Sequence, residues 1–292
     1  MILVTGATGN VGAQVVRELR ERGAPVRAFV RDAARARRLL GDEVELAVGD
    51  LAEPAAVARA LAGATRVVLS TADGPAKPEH ERAVIDAAAA AGVELVVKCS
   101  TIGAEVGSPL PPFDWHGQAE EHLRRSGVPA VVLRSCFYMT NLLASAEQVR
   151  ATRKLVAPAG EGRVAMIDPR DTGSAAAAVL ASDGHAGRTY VLTGARALGF
   201  ADVARELGLA TGDDVEYVDV PDAAAREALA ASGLPDWLVG HLSGLFPRIR
   251  EGLLAATTET VRELTGREPR TFAEFAREHA EAFAGGLVAG RR

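Results

Sequence analysis

The sequence has few cysteines, no long apolar run and no metal-like cluster of ligands. The two cysteines among its 292 residues, Cys99 and Cys136, each lie in a strand-like apolar run. We predict that both are buried, reduced thiols. No apolar run approaches the roughly 20 residues of a membrane span, so we expect no contact with a membrane. His and carboxylate residues form no recognisable ligand set, and we predict no metal site.

A strongly basic block is also missing. The chain has 33 Lys and Arg against 38 Asp and Glu, which gives a net charge of −5. Nucleic-acid binding is disfavoured as the main function, because phosphate contacts need clustered Lys and Arg. The first predicted strand begins at residue 2, which leaves no room for a signal peptide, and we expect a cytoplasmic protein.

Short apolar runs alternate with helical patterns through the first half of the chain. Strand, helix and strand at this spacing are typical of βαβ units, whose crossovers give a parallel sheet covered on both faces. The sequence therefore predicts an α/β fold with a doubly wound parallel sheet of the Rossmann type. The six predicted strands are residues 2–4, 26–30, 44–48, 66–70, 95–97 and 130–133.

The alternation loosens after about residue 138. Two strand-like runs remain, residues 188–192 and 215–220, and the rest has helical patterns. We predict a dinucleotide-binding domain over residues 1–140. Residues 141–292 are predicted to form mainly a smaller C-terminal α+β lobe that serves as substrate domain or lid, with some segments returning to the Rossmann sheet.

Three glycines with the spacing G-x-x-G-x-x-G lie directly between the first predicted strand and the first helix. In such a loop one glycine permits the tight turn, one lets the backbone approach a pyrophosphate, and one lets the helix pack close to the sheet. The helix N-terminus offers free N–H groups and a partial positive charge to the phosphates. The predicted contacts of this loop with a dinucleotide come from Gly6, Thr8, Gly9, Asn10, Val11 and Gly12.

Residues 2–12 resemble the NmrA-like group of atypical short-chain dehydrogenase/reductases, which includes quinone reductases and redox-sensing regulators. Other segments are similar to the second strand, the adenine-side motif, the substrate-cleft segment and the C-terminal landmarks of this group. The resemblance spans nearly the whole chain, but it is not specific for one activity. The matching segments are residues 26–32, 49–51, 133–141, 168–171 and 265–272.

Cofactor choice depends on Arg31 and Asp32 at the end of the second strand. By resemblance, Arg31 contacts the 2′-phosphate in members that use NADP, and a guanidinium can bind a phosphate through two N–H groups. We therefore favour NADP(H). NAD(H) stays open if Arg31 belongs to a solvated helix face that Asp32 caps.

Further cofactor contacts are expected at the carboxyl ends of the strands, where ligands of open α/β sheets bind. The Asp50 carboxylate can accept a hydrogen bond from the adenine amino group, or it can cap a helix near Pro54. Lys98 can orient the cofactor, or it can be an exposed lysine at a strand end. The residues predicted here are Asp50, Leu51, Ser70, Thr71, Ala72, Lys98 and Ser100.

The Tyr-x-x-x-Lys pair of typical short-chain reductases is absent. His116 and Glu120 stand at the corresponding positions, one helical turn apart, and we predict that they are the catalytic residues. Redox chemistry stays open without the pair, because the nicotinamide itself transfers the hydride. We hypothesise that His116 protonates or hydrogen-bonds an acceptor oxygen. The alternative is a structural histidine bonded to a carbonyl.

Two functions follow from the resemblance. The favoured one is an NAD(P)H-dependent oxidoreductase that transfers a hydride to a quinone or polycyclic aromatic carbonyl, with a place in natural-product tailoring beside an oxygenase. The alternative is a non-catalytic NAD(P)-binding redox sensor that regulates a partner protein. A homodimer or a partner oxygenase is left open. The residues predicted to bind a small aromatic substrate are Thr101, Phe137, Tyr138, Asn141 and Trp237.

Overall fold

A parallel sheet of seven strands is the centre of the first of two units into which the chain divides. The computed structural model describes residues 1–285. The first unit comprises Met1–Ser135, Pro169–Leu192 and Thr260–Arg267, and the second contains the other described residues. The strands of both units are β1 (Ile2–Val4), β2 (Val26–Val30), β3 (Glu45–Val48), β4 (Arg66–Leu69), β5 (Leu95–Thr101), β6 (Ala130–Ser135), β7 (Lys154–Ala157), β8 (Arg163–Val164), β9 (Thr189–Leu192), β10 (Leu198–Gly199) and β11 (Glu216–Asp219).

Helices connect these strands, and several of them begin at proline. Proline suits the first helical position, because an N–H group there would have no partner within the helix. A 3-10 helix spans Met139–Ser145. The α-helices are α1 (Asn10–Glu21), α2 (Ala33–Leu40), α3 (Pro54–Leu61), α4 (Lys77–Ala90), α5 (Pro111–Ser126), α6 (Ala146–Thr152), α7 (Pro169–Ala181), α8 (Phe200–Thr211), α9 (Asp222–Ala231), α10 (Asp236–Arg250), α11 (Thr260–Thr265), α12 (Phe272–Glu278) and α13 (Ala280–Phe283).

The sheet order is β3-β2-β1-β4-β5-β6-β9, and all neighbouring strands are parallel. The central strands are buried along most of their length, as expected for parallel strands covered on both faces. The chain continues from β1 to β2 on one side, and later returns to β4 on the other side. Ligands of open α/β sheets bind outside the carboxyl ends of the strands at such a reversal.

The predicted fold class is confirmed, with one strand more than the six predicted from the first half of the sequence. β9 falls within the predicted run 188–192 and pairs in parallel with β6. In the second unit, β11 pairs in parallel with β7, and β10 pairs antiparallel with β8. No helix among residues 1–285 has the length and apolar character of a membrane span. The cytoplasmic location stays a prediction.

Candidate active site

Two of the three glycines in the loop after β1 have no room for a side chain. Gly6 has φ +60°, and a Cβ on it would lie 2.4 Å from the Ser70 carbonyl oxygen. A Cβ on Gly12 would lie 2.3 Å from the Gly6 carbonyl oxygen. On Gly9, the one contact within 4 Å of such a Cβ among residues 1–285, chain neighbours aside, is the Gly6 carbonyl oxygen at 3.2 Å. Gly6 and Gly12 therefore close the turn, and the outer side of Gly9 is open.

The N-terminus of α1 directly follows this loop. Within residues 1–285, no side chain caps it, and the first turn carries no acidic residue. Its free N–H groups and the positive end of the helix dipole are therefore available to an anion. The loop and the helix start form a cradle that a Cβ would fill, which fits the pyrophosphate of a dinucleotide.

Thr5 fastens the loop to the end of β4. Its hydroxyl lies 3.1 Å from the Val68 carbonyl oxygen and 3.0 Å from that of Ser70, and it accepts a hydrogen bond from the Ser70 N–H at 2.9 Å. The predicted residues Ser70 and Thr71 are half-buried and Ala72 is exposed. The structure therefore brings the ends of β1 and β4 together at the topological reversal.

Arg31 and Asp32 have different surroundings at the end of β2. The Asp32 carboxylate accepts a hydrogen bond from the Arg35 N–H at 2.9 Å and caps α2. The Arg31 side chain is exposed and makes no hydrogen bond or ion pair with a residue of the described part. Asp50 accepts a bond from the Ala52 N–H at 2.9 Å. The roles of Arg31, Asp50 and Leu51 toward a cofactor stay predictions.

A group of polar side chains, four of which are buried, lies beside the ends of β4 and β5, and we call it the Lys98 cluster. Lys98 is fully buried, with 0% of its surface exposed. Its Nζ lies 3.1 Å from Glu81 Oε1 and 3.0 Å from His116 Nδ1, and it donates to the Cys99 carbonyl oxygen. The three N–H groups of the ammonium therefore have three acceptors. The cluster consists of Thr71, Asp73, Lys77, Glu81, Lys98 and His116.

One carboxylate oxygen, Glu81 Oε1, is the centre of this cluster. It accepts a hydrogen bond from the Thr71 hydroxyl at 2.7 Å and pairs with Lys77 Nζ at 3.2 Å as well as with Lys98. Burial raises the pKa of Glu81, but the charges of Lys98 and Lys77 outweigh it and lower the pKa to about 2. Burial lowers the pKa of Lys98, and the Glu81 carboxylate opposes this effect. The Oε2 atom is buried and has no partner among residues 1–285.

His116 connects this cluster to the half-exposed side chain of Asp73. Its Nδ1 faces Lys98 Nζ, and its Nε2 lies 3.4 Å from Asp73 Oδ1. Because an ammonium only donates, we infer that Nδ1 is the acceptor and that Nε2 carries the ring proton. Burial and the charges of Lys98 and Lys77 lower the pKa of His116 to about 3. The imidazole is therefore neutral at pH 7.

Glu120 also lies on α5 but has other partners. Its Oε1 accepts a hydrogen bond from the Ser100 hydroxyl at 2.5 Å. Arg134 donates to Oε1 from Nε at 3.1 Å and to Oε2 from Nη2 at 2.6 Å. This two-bond ion pair raises the pKa of Arg134. His116 and Glu120 thus share a helix but have different partners. His116 bonds to Lys98, and Glu120 bonds to Ser100 and Arg134.

The remaining predicted substrate residues are divided between the units. Thr101 is half-buried at the end of β5, and its hydroxyl donates to the Ile102 carbonyl oxygen at 3.2 Å. In the second unit, the Phe137 carbonyl accepts a bond from the Ile167 N–H, and Asn141 is exposed on the 3-10 helix. Tyr138 and Trp237 are half-buried. Their contact with substrate stays a prediction.

Sequence reasoning missed three members of the Lys98 cluster: Asp73, Lys77 and Glu81. The only signal was the i,i+4 spacing of Lys77 and Glu81 on α4, a pattern more typical of exposed helix faces. No metal-binding group of His, Cys, Asp or Glu is found within the described residues. Both cysteines are buried, and burial raises the pKa of Cys99 to about 11 and that of Cys136 to about 12.

Comparison with known proteins identifies relatives that cover nearly the whole chain. The sequence profile of the NmrA-like family matches residues 1–276. The chain is 39% identical over 283 residues to an NAD(P)H azoreductase of Xenophilus azovorans, with 97% of this chain and 99% of that protein covered. It is 39% identical over 286 residues to a (4-alkanoyl-5-oxo-2,5-dihydrofuran-3-yl)methyl phosphate reductase of Streptomyces griseus, with 97% and 99% covered.

A solved structure with a similar fold is that of an NADPH-dependent quinone oxidoreductase of Escherichia coli in complex with NADPH. Its TM-score with the present structure is 0.87 at 33% sequence identity, and the match covers 95% of this chain and 99% of that one. The similarity therefore extends through both units of the chain.

Proposed function

Because the chain belongs to the NmrA-like family, we propose that this NAD(P)H-dependent reductase transfers a hydride from NADPH to a quinone or a related conjugated aromatic acceptor. The observation that carries the proposal is the uncapped N-terminus of α1 behind a turn that admits only glycine at two positions. The predictions of an NAD(P)H-dependent reductase and of a nicotinamide cofactor, with NADP(H) favoured, are confirmed by the relatives.

The chain's own residues fit such a cofactor. When bound, the nicotinamide supplies the hydride. The N–H groups at the start of α1 hold the pyrophosphate, and Arg31 binds the 2′-phosphate. Asp50 and Leu51 serve the adenine side, and the rim formed by residues 70–72 serves the nicotinamide ribose. These assignments rest on the positions of the residues at the carboxyl edge of the sheet.

The acceptor needs a proton as well as a hydride. A reduced quinone is a phenolate-like oxyanion, whose conjugate acid has a pKa of about 10, as Tyr has. We assign the donor of this proton to Nε2 of His116, because the bond from Lys98 to Nδ1 leaves the ring proton there. Glu120 holds α5 against β5 and β6 through Ser100 and Arg134, so we give it a positioning role.

No single residue indicates which acceptor the protein reduces or in which biological setting it acts. The relatives include an azoreductase and a furanone phosphate reductase. We therefore propose that this protein accepts conjugated acceptors of more than one type. Phe137, Tyr138, Asn141 and Trp237 are our candidates for contact with a flat ring. A place in natural-product tailoring, a partner oxygenase and a homodimer rest on the family resemblance alone.

Turnover tests the proposed function directly. The purified protein is mixed with NADPH or NADH, and the loss of nicotinamide absorbance is followed with a series of benzoquinones, naphthoquinones and azo dyes. We expect oxidation of NADPH with at least one quinone and a lower kcat/KM with NADH. Tight binding of NADPH without turnover across the series would contradict the reductase and support the redox sensor.

Replacing Arg31 by alanine tests the choice of cofactor. Removal of a guanidinium that binds a phosphate is worth about 1.5–3 kcal/mol, so the Kd for NADPH should rise roughly 10- to 100-fold. The Kd for NADH should change less than about twofold. Arg35→Ala is the matched control, because Arg35 has the same charge, lies four residues further and is exposed on α2. If both variants weaken the binding of NADPH equally, Arg31 does not contact the 2′-phosphate. Calorimetry provides the measurement.

A further inference from the structure

We propose that Lys98 and His116 form a two-residue proton relay, in which Lys98 supplies the proton that replaces the one His116 gives to the reduced acceptor. The inference rests on the proposed reductase function. It assigns to Lys98 a role in proton supply rather than the cofactor contact that the sequence predicted. Lys98 acts through His116, and only His116 is placed against the acceptor.

The hydrogen-bond geometry has the direction that a relay needs. The Lys98 ammonium is fully buried and is 3.0 Å from His116 Nδ1. His116 is 8% exposed, and its Nε2 lies 3.4 Å from the half-exposed side chain of Asp73. A proton can therefore leave the ring at Nε2 while another enters at Nδ1. The imidazole stays neutral throughout, which suits a buried ring beside two lysines.

The proton transfer balances in charge and atoms. Bound NADPH would supply the hydride that converts a quinone into an oxyanion. An O–H bond forms with the Nε2 proton of His116 as the N–H bond at Nε2 breaks. At the same time an Nζ–H bond of Lys98 breaks and Nδ1 gains the proton, which leaves a neutral amine. A proton from solvent then enters at Nε2, and the Nδ1 proton returns to Lys98. One solvent proton is consumed in each turnover.

The other members of the cluster prepare Lys98 for this task. Burial lowers the pKa of Lys98, which makes the ammonium a stronger acid than an exposed lysine. The Glu81 carboxylate, held by Lys77 and Thr71, keeps enough negative charge nearby for Lys98 to hold its proton at rest. The charged groups that face His116 are Lys98 from β5, Lys77 and Glu81 from α4, and Asp73 from the segment between β4 and α4.

The Tyr-x-x-x-Lys pair, which this chain lacks, also places a cationic side chain next to the group that donates the proton. There the lysine is one helical turn after the tyrosine, the position that Glu120 occupies here. In this chain the cation instead comes from β5, which runs beside the helix. The structure thus restores the acid and its cation with residues from two elements.

The decisive experiment compares Lys98→Met with Lys77→Met. Lys77 is an equally buried lysine, 2% exposed, which pairs with the same Glu81 oxygen and has no hydrogen bond to His116. The wild-type kcat with a naphthoquinone should fall as pH rises through the pKa of Lys98. In Lys98→Met the kcat should be about 100-fold lower and should not show this alkaline decrease. Lys77→Met should retain the decrease. A decrease that persists in Lys98→Met overturns the relay.

A second acceptor separates proton supply from cofactor binding. A cationic triarylmethane dye needs only a hydride, because its reduced product is neutral without a proton. Lys98→Met should therefore lower the ratio of quinone to dye turnover about 100-fold. Lys77→Met should lower this ratio much less, because the bond from Lys98 to His116 remains. If Lys98→Met reduces both turnovers equally, Lys98 has a structural or cofactor-binding role and the relay is wrong.

The hydrogen-bond direction can be read without any turnover. Ring-labelled histidine gives the 15N shifts of His116 in the free protein, and His116→Asn identifies its signals. We expect a neutral ring with the proton on Nε2 between pH 8 and pH 5. A proton on Nδ1 would overturn the relay even in an active enzyme. If no acceptor is reduced, the proposed function fails, and these shifts still decide whether Lys98 donates to His116.

Discussion

A methyl group on Gly12 should abolish NADPH binding and lower the free energy of unfolding by about 3 kcal/mol. The added Cβ would lie 2.3 Å from the Gly6 carbonyl oxygen, 2.8 Å from its carbon and 2.9 Å from Ala7 Cα. All three atoms belong to the backbone of the turn, so no side chain can move aside. Either the loop or α1 must shift, and the N–H groups that face the pyrophosphate shift with it.

Two further variants separate binding from stability. Gly9→Ala adds a methyl group that meets, in the described part of the chain, one atom beyond its chain neighbours, at 3.2 Å. We therefore expect a nearly unchanged free energy of unfolding and a Kd for NADPH that rises at least about tenfold. Gly23→Ala lies just beyond the other end of α1 and has φ +70°. Its added methyl group meets no atom of the described residues within 4 Å apart from its chain neighbours. It should cost about 1–2 kcal/mol and leave the Kd unchanged. Urea unfolding and calorimetry measure both quantities. NADPH bound by Gly12→Ala with wild-type Kd would exclude this turn as the pyrophosphate site.

Much of the fold was predictable because its signals are local. A strand, a glycine loop and a helix follow one another within the first 21 residues, and each has a distinct sequence pattern. A helix cap at Asp32 was one of the alternatives that the sequence left open, and the Asp32 carboxylate does cap α2. The seventh strand was visible as an apolar run, but its place beside β6 depends on chain that returns after a long excursion. The sequence predicted that some later segments return to the sheet, but its spacing did not indicate which strand they join.

The candidate site was predictable only in part, for a related reason. His116 was found because it stands where the expected tyrosine is missing. Lys77 and Glu81 have the spacing of an exposed ion pair on an Ala-rich helix, yet they are 2% and 0% exposed. Glu81 also pairs with Lys98, which belongs to a strand that follows in the sequence. An ion pair between two secondary-structure elements cannot be predicted from the sequence pattern of either element alone.

Replacing Glu81 by glutamine should therefore be costly for stability. Among the residues that the structure describes, the amide removes the only negative charge within 3.2 Å of both buried ammonium groups, those of Lys77 and Lys98. Breaking a buried ion pair in this way costs roughly 3–5 kcal/mol. We expect the free energy of unfolding at pH 7, from urea titration, to fall by about this amount. Glu79→Gln, an exposed change on the same helix, should stay within about 0.5 kcal/mol of the wild type.

The pH dependence of the lost unfolding free energy shows whether Glu81 stabilises the fold through its charge or through its packing. The pKa of Glu81 is about 2 in the folded protein against 4.5 as the ordinary value, so its contribution is present above pH 4.5 and is lost as the pH falls toward 2. In the variant, burial without the Glu81 carboxylate lowers the pKa of Lys98 further below its unfolded value. The unfolded chain then binds more protons, and the stability of the variant rises with pH. The difference between wild type and variant should thus narrow on both sides of neutral pH. A difference that stays constant from pH 3 to pH 10 would mean that Glu81 acts by packing, and that the cluster holds no charge for Lys98.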